Sequence, residues 1–442
     1  MASKAGIWFK KHLVAVSLYS SLTVLLWSAS NINWGGQNWV DILEADAKGY
    51  YAYLPATFIY HDLNFTFFDQ MDKGTYYRKE LLYDYRKDIN GHLINKYFCG
   101  TAIAELPFFA LAHLYTLASD DPSDGYSKPY LIFIHIGALF YLWLAFYFII
   151  RILRFFNIRE PIIAFLIPVF IFGTNIFLYT AMDPGMSHVY SLAFISIFVF
   201  FGLKFFRNPQ VSLIVLLFLL VGLIILIRPS NGLIVLALPF IAGNGERLFN
   251  GIRFMLGHIG TFILGLCLCC GIIFIQLIAY KVATGNFFIY AYTEERFYFL
   301  KPHIIDILFS YKKGLFLYTP ILLVSMFGYL YLWHTNTFRT ITHFLFLGIL
   351  TYVLSCWWSW WYGGGFSGRV FMEFMPFFIL LYALLLQGIV NNTIKKSLIA
   401  LSVVLTLICQ IQIYQYRHYQ IHWEDTTKEM YWNNFMRIDK LM

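Results

Sequence analysis

The sequence predicts an all-α protein that passes many times through a membrane, and three observations carry that expectation. Of 442 residues, 59% are hydrophobic and only 13% are charged, whereas a soluble domain needs roughly a quarter of its residues charged to cover its surface. The hydrophobic residues gather into runs near the length of about 20 that carries an α-helix through the hydrocarbon core. Aromatic residues make up 20% of the chain, with 46 Phe and 32 Tyr, which suits lipid-facing helices and interfacial belts. The net charge of +8 is scattered between the apolar runs. It reads as a set of topology signals and argues against nucleic acid as a partner.

Candidate spans fall near 12–30, 128–150, 161–180, 188–206 and 211–227, with a short one at 231–243. They continue at 255–282, 314–333, 341–361, 370–389 and 397–415. The start, Lys4 to Lys11 ahead of an apolar run, resembles a signal peptide. No small-residue cleavage site follows, so an uncleaved first span is expected. The segment 98–118 is apolar but holds Glu105, Pro107 and His113. Basic residues favour the cytoplasmic side. With Lys4, Lys10 and Lys11 inside, the clusters at Arg151, Arg154 and Arg159, at Lys204 and Arg207, at Arg247 and Arg253, and at Lys395 and Lys396 all fall inside only if 98–118 lies along the interface as an amphipathic helix. The expectation is about eleven spans in a domain covering 1–416, with the N-terminus inside and an outer tail at 417–442. Large outer segments fall at 31–127 and 283–313, with a bend at 357–369. The first is too long to be a mere connector, so function is sought on this face.

Several chemistries find no support. The six cysteines include no CxxC pair, and Cys267, Cys269 and Cys270 sit in one apolar run, so neither a zinc site nor a disulfide framework is expected. No Walker motif or Gly-rich dinucleotide fingerprint occurs. No internal repeat of the kind that builds many transporters stands out.

The acids come first among candidate functional residues. Asp46, in Glu44-Ala45-Asp46-Ala47-Lys48-Gly49-Tyr50-Tyr51, follows the first span. A carboxylate there can serve as a general base while Tyr50 and Tyr51 stack on a sugar, or it can simply be solvated at the interface. Asp183 lies in an outer turn, Thr180 to His188, near membrane depth, where an acid is costly unless paired or used; capping a Pro-Gly turn is the plainer alternative. Lys96, Arg228, Lys312, Lys313 and Arg369 are cations on the same side, against the topological bias. A phosphate or diphosphate explains the set, with arginine as a fork and lysine as a point charge; snorkelling explains any one of them. Arg369 closes an aromatic, Gly-rich bend that starts at Trp357 and includes Trp360 and Trp361. His188 is grouped with Tyr50, Tyr51, Trp360 and Trp361 as a sugar or acceptor contact. A divalent metal on Asp46 and Asp183 is conceivable, but no ligand spacing compels it, and no cofactor is required.

Taken in order, these motifs resemble the GT-C superfamily of integral membrane glycosyltransferases, in particular the bacterial protein-mannosyltransferase and aminoarabinose-transferase-like branch. Asp46 to Tyr50 fits that family's D-x-x-x-Y motif after the first span, strengthened by Gly49 to Ala56. Asn95-Lys96-Tyr97 leading to Pro107 looks like its outer helix opened by a basic residue. Asp183-Pro184 matches its second acid, and Trp360 to Arg369 its aromatic bend. Where relatives often carry a Glu before that basic residue, this chain has Asn95. The resemblance covers most of 1–390. It implies a GT-C-like bundle with amphipathic helices in the first outer loop, sitting in the bacterial cytoplasmic membrane with its site facing the periplasm or exterior. It also implies transfer of a sugar, with inversion, from a polyprenyl-phosphate donor to a glycan, lipid or protein acceptor, Asp46 acting as base and the cations holding the leaving phosphate. The rival expectations are a transporter or lipid-linked-sugar flippase, which needs polar groups through the bilayer midplane, and a non-enzymatic envelope scaffold. Gln276 and Gln387 are the few polar side chains far from span ends.

Overall fold

The computed structural model describes residues 4–71, 83–437 and 439, the side chains of 4–11 and 71 excepted. Residues 72–82 of the expected first outer segment, and 438 and 440–442 of the tail, lie outside the described residues.

Among the described residues, seven helices are long and apolar enough to cross a membrane: His12–Trp34, Lys128–Phe155, His188–Arg207, Ile259–Thr284, Thr337–Ser355, Arg369–Gly388 and Asn392–Arg417. Arg369–Gly388 lies at the centre of the bundle, while Ile259–Thr284 turns most of its surface outward. Helices in lipid gain little from hydrophobic burial against one another, so packing and interhelical hydrogen bonds must hold them. Ser17 donates to the Ala164 carbonyl at 2.6 Å, and Gln410 donates to the Phe172 carbonyl at 2.5 Å. The Val211–Ile227 helix packs against Ile259–Thr284, and Lys128–Phe155 against His188–Arg207.

The remaining expected spans are shorter or interrupted, each for a local reason. The helix starting at Glu160 stops at Gly173; Thr174 is extended, and the chain resumes as Ile176–Ala181. The run at 314–333 breaks into Leu315–Tyr318, Pro320–Met326 and Gly328–Thr335. Pro320 crowds the residue before it out of the helical region, and Thr319 sits at φ −129°, ψ 65°. After Arg228 the chain forms a 3-10 helix, Pro229–Ala237, then a short α-helix, Leu238–Ala242.

Two features bring the first long loop back to the bundle. Gly100–Leu117 is helical and not one of the seven long candidates. It buries Ala102, Glu105, Phe109, Ala112 and Thr116 along one stripe and exposes Leu111, Leu114, Tyr115 and Leu117. Before it, strands Arg86–Ile89 and His92–Asn95 pair antiparallel, Arg86 opposite Asn95 and Ile89 opposite His92. Their two-residue turn, Asn90-Gly91, has positive φ at both positions (55° and 84°), as a primed hairpin turn requires.

Candidate functional site

The ends of many helices meet around one cavity of about 1120 Å³. Its wall includes Asn33 from the end of the first span, Arg228 from the end of Val211–Ile227, and Tyr280 from near the end of Ile259–Thr284. Asp183 enters ahead of the His188 helix, Arg369 at the head of the central segment, and Arg417 at the end of the last long helix. The loop residues Tyr290, Tyr292 and Glu295 complete one side.

Asp46 opens the helix Asp46–Phe58, a position where the helix dipole favours negative charge. Its Oδ1 accepts from the Tyr97 hydroxyl at 2.7 Å and its Oδ2 from Arg369 Nη2 at 2.8 Å. Burial pushes its proton affinity up, but Arg369, the Tyr97 hydroxyl and Lys96 outweigh it and hold the carboxyl below its usual range. Asp46 is therefore ionised, and its two oxygens are aimed. The hydroxyls of Tyr83 and Tyr97 are bonded to each other. Asn95 donates to the Gly49 carbonyl at 2.6 Å, which ties the hairpin to the Asp46 helix.

Asp183 reaches the same cavity from a turn that Asn33 clamps by donating to the carbonyls of Ala181 and Met182 (3.3 and 3.1 Å). Burial, helped by Asp41, lifts its carboxyl to about 6 against the opposing pull of Arg369 and Arg417. Two acids thus share one cavity with opposite shifts. One is a fixed anion; the other can exchange a proton near neutral pH.

Lys96 donates to Glu295 at 3.0 Å and stands over the rings of Tyr97, Tyr83 and Tyr292 at 5.2, 5.6 and 5.9 Å, an arrangement that attracts a cation to the ring faces. Arg228 donates to Glu373 at 3.1 Å. Tyr50 lines the cavity with its ring against Tyr97, the centroids 4.8 Å apart.

Asp46, Asp183, Lys96, Arg228, Arg369 and Tyr50 are therefore brought together, and six other candidates stand outside the lining. Tyr51 is buried and bonds to the Gly125 carbonyl. His188 is fully buried against Glu373. Lys313 is buried and its ammonium faces the carbonyls of Gly365 and Trp423. Lys312 pairs with Asp425 at 2.8 Å and lies 3.5 Å over the Trp361 ring. Trp361 donates to Glu424 at 3.1 Å, and Trp360 packs against it and His303. These contacts fasten the C-terminal tail to the Gly-rich bend, and Trp423 and Glu424 then line the cavity.

Sequence reasoning missed Glu373, Arg417 and the tail. Glu373 had a signal, an acid inside the apolar run 370–389; the tail had none. Among the described residues no three His, Cys, Asp or Glu side chains gather to hold a metal. Both oxygens of Asp46 are engaged, one by an arginine and one by a tyrosine.

No family model, curated protein or solved structure matches the chain.

Proposed function

We propose that the chain is a GT-C-type membrane glycosyltransferase that moves a sugar from a polyprenyl-phosphate donor to a hydroxyl acceptor. One observation carries the reading: Asp46, held at 2.8 Å by Arg369 and 2.7 Å by Tyr97, shares a cavity with Asp183, Lys96 and Arg228. In the transfer, the acceptor hydroxyl loses its proton to Asp46 while its oxygen bonds to the anomeric carbon from the face opposite the leaving group. The carbon–oxygen bond to phosphate breaks, and its electron pair leaves with the lipid phosphate. That group is a weak base, so it needs charge stabilisation more than a proton. Arg369, Arg228 and Lys96 are placed to supply it, and tyrosines around them offer hydroxyls and ring faces to a sugar. Lys312 and Lys313 are assigned to the tail.

The seven long helices, with Glu160–Ala181, Val211–Ile227, Pro229–Ala242 and Leu315–Thr335 as shorter or broken crossings, make eleven. Nine residues of 3-10 helix at about 2 Å each and five of α-helix at about 1.5 Å reach roughly 25 Å, which lets the shortest run through. On this count the cavity opens at the end away from Arg151, Arg154, Lys204, Arg207, Lys395 and Lys396, hence to the non-cytoplasmic side. In a bacterial cell that is the periplasm or exterior. The transporter reading loses its midplane groups: Gln276 is held by the Cys99 amide and the Tyr53 hydroxyl, and Gln387 by the Arg159 amide and Asn157 carbonyl.

The test is a membrane assay with a panel of polyprenyl-phosphate sugars and mixed acceptors, following donor consumption. One donor should be consumed by the wild-type chain and none by Asp46→Asn. Equal consumption by both would end the proposal.

A further inference from the structure

One short 3-10 turn, Arg369–Phe374, carries both a cavity arginine and a fully buried acid. Arg369 reaches forward to Asp46. Glu373, four residues on, reaches the other way: its Oε1 accepts from Arg228 Nη1 at 3.1 Å and lies 3.0 Å from His188 Nδ1. His188 Nδ1 is also 3.2 Å from Arg228 Nη1; arginine has only donors, so Nδ1 either donates to Glu373 or accepts from Arg228, according to its tautomer. In both states His188 packs against the pair, and the carboxylate holds the arginine. Glu373 and His188 have no exposure and do not line the cavity, whereas Arg228 does. Among the charges around Arg228, Glu373 attracts most strongly and Arg369 repels.

A bare buried carboxylate is expensive, and an apolar residue of similar size is often as good or better for stability. Fold stability alone gives weak reason for a glutamate in the run Val370 to Phe378. Its remaining oxygen, Oε2, and His188 Nε2 find no hydrogen-bond partner among the described residues, so the group is not there to complete a dense polar network. What it does achieve is to fix Nη1 of an arginine that lines the cavity, from a position outside the lining.

We infer that Glu373 is a positioning residue of the transfer site, acting through Arg228 to aim its guanidinium at the leaving phosphate. This rests on the sugar-transfer reading. It makes Glu373 and Arg228 a single functional unit, braced by His188, and units of that kind lose activity non-additively.

The experiment is a double-variant cycle on the full chain in lipid nanodiscs, with kcat and acceptor KM read separately. Glu373→Leu and Arg228→Leu should each lower kcat on the order of a hundredfold, the usual loss of one charge-stabilising donor, with acceptor KM unchanged. The double variant should lose no more than the worse single one. Glu373→Gln, whose amide oxygen keeps both bonds, should stay within about tenfold of wild type. Should Glu373→Leu not accumulate in membranes, the same cycle is run with Glu373→Asp, whose shorter side chain draws the carboxylate away from Arg228, and Arg228→Lys, and non-additive losses are again the expected result. Multiplying losses in either cycle, or wild-type kcat in Glu373→Leu, would overturn the inference and leave the transferase reading standing. A wild-type chain that consumes no polyprenyl-phosphate sugar would overturn both.

Discussion

Arg369 donates a hydrogen bond to Asp46 across 2.8 Å, although 323 positions separate them in the chain. The contact joins the start of the first long loop to the head of the central helix. It also decides the state of the acid: ionised, oriented and next to a positive charge.

Replacing Asp46 with Asn keeps the shape and an oxygen for Arg369, turns an amide NH2 toward the Tyr97 hydroxyl, and removes the carboxylate proposed as the base. Sugar transfer should fall by about a hundredfold to ten-thousandfold, the range for general-base catalysis, while the protein still accumulates in membranes. Transfer assays and membrane immunodetection on the same preparations check it; undiminished transfer contradicts the assignment.

Arg369→Met strands the Asp46 carboxylate in a mostly buried place. Removing one partner of a buried pair typically costs about 3–5 kcal/mol, and the cavity's access to water lowers that to about 2–3 kcal/mol here. Thermal unfolding in detergent should show a marked drop that Asp46→Asn, added to it, partly repairs.

The two acids should answer pH with opposite signs. Asp183 sits at about 6, above its ordinary 3.8, so its contribution to stability is present at low pH and is lost as pH rises through about 6. Asp46 is shifted down and stays ionised over that window. Between about pH 4 and pH 6 the wild-type Tm should gain on acidification relative to Asp183→Asn. Parallel curves for the two would remove the pKa assignment.

The turn that carries Asp183 packs tightly onto the segment that carries Asp46. A Cβ on Gly185 would lie 2.8 Å from Leu43 and 2.9 Å from Ala47, so Gly185→Val must shift the Asp183 turn against the segment that leads into Asp46. Overpacking of this kind costs about 1–3 kcal/mol, and transfer should fall with Tm. A variant with normal activity would show that the two acids need not keep their spacing.

Lys313→Met should loosen the tail, because it leaves the Gly365 and Trp423 carbonyls without their shared ammonium. Limited proteolysis within 418–437 should speed up at least several-fold. Lys312→Met removes a pair with the well-exposed Asp425, worth at most about 1 kcal/mol, and a contact with the Trp361 ring face worth about 0.5–1 kcal/mol, and should speed cleavage less than Lys313→Met does.

Much of the helix pattern was legible because a membrane run is a local property: about 20 apolar residues declare themselves without knowledge of their neighbours. The interruptions at Thr319-Pro320 and Thr174 follow from backbone chemistry, and each is marked by a residue type that disfavours helix, Pro320 in the first and Gly173 in the second. The hairpin was also written locally, in Asn90-Gly91 between extended residues. Of the candidate cations, residue type could not separate Lys96, Arg228 and Arg369, which border the cavity, from Lys312 and Lys313, which tie down the tail.

By itself the sequence determined that the chain is helical and apolar enough for a membrane, and it marked Asp46, Asp183 and a handful of cations as residues out of place in lipid. Only the tertiary structure decided which of them share a wall, that Glu373 stands behind Arg228, and that Trp423 and Glu424 close the cavity. The physical reason is range. Helix formation and lipid preference act within a turn or a span, whereas an ion pair or a cavity wall joins residues hundreds of positions apart, and its partners are selected by packing that no local pattern records.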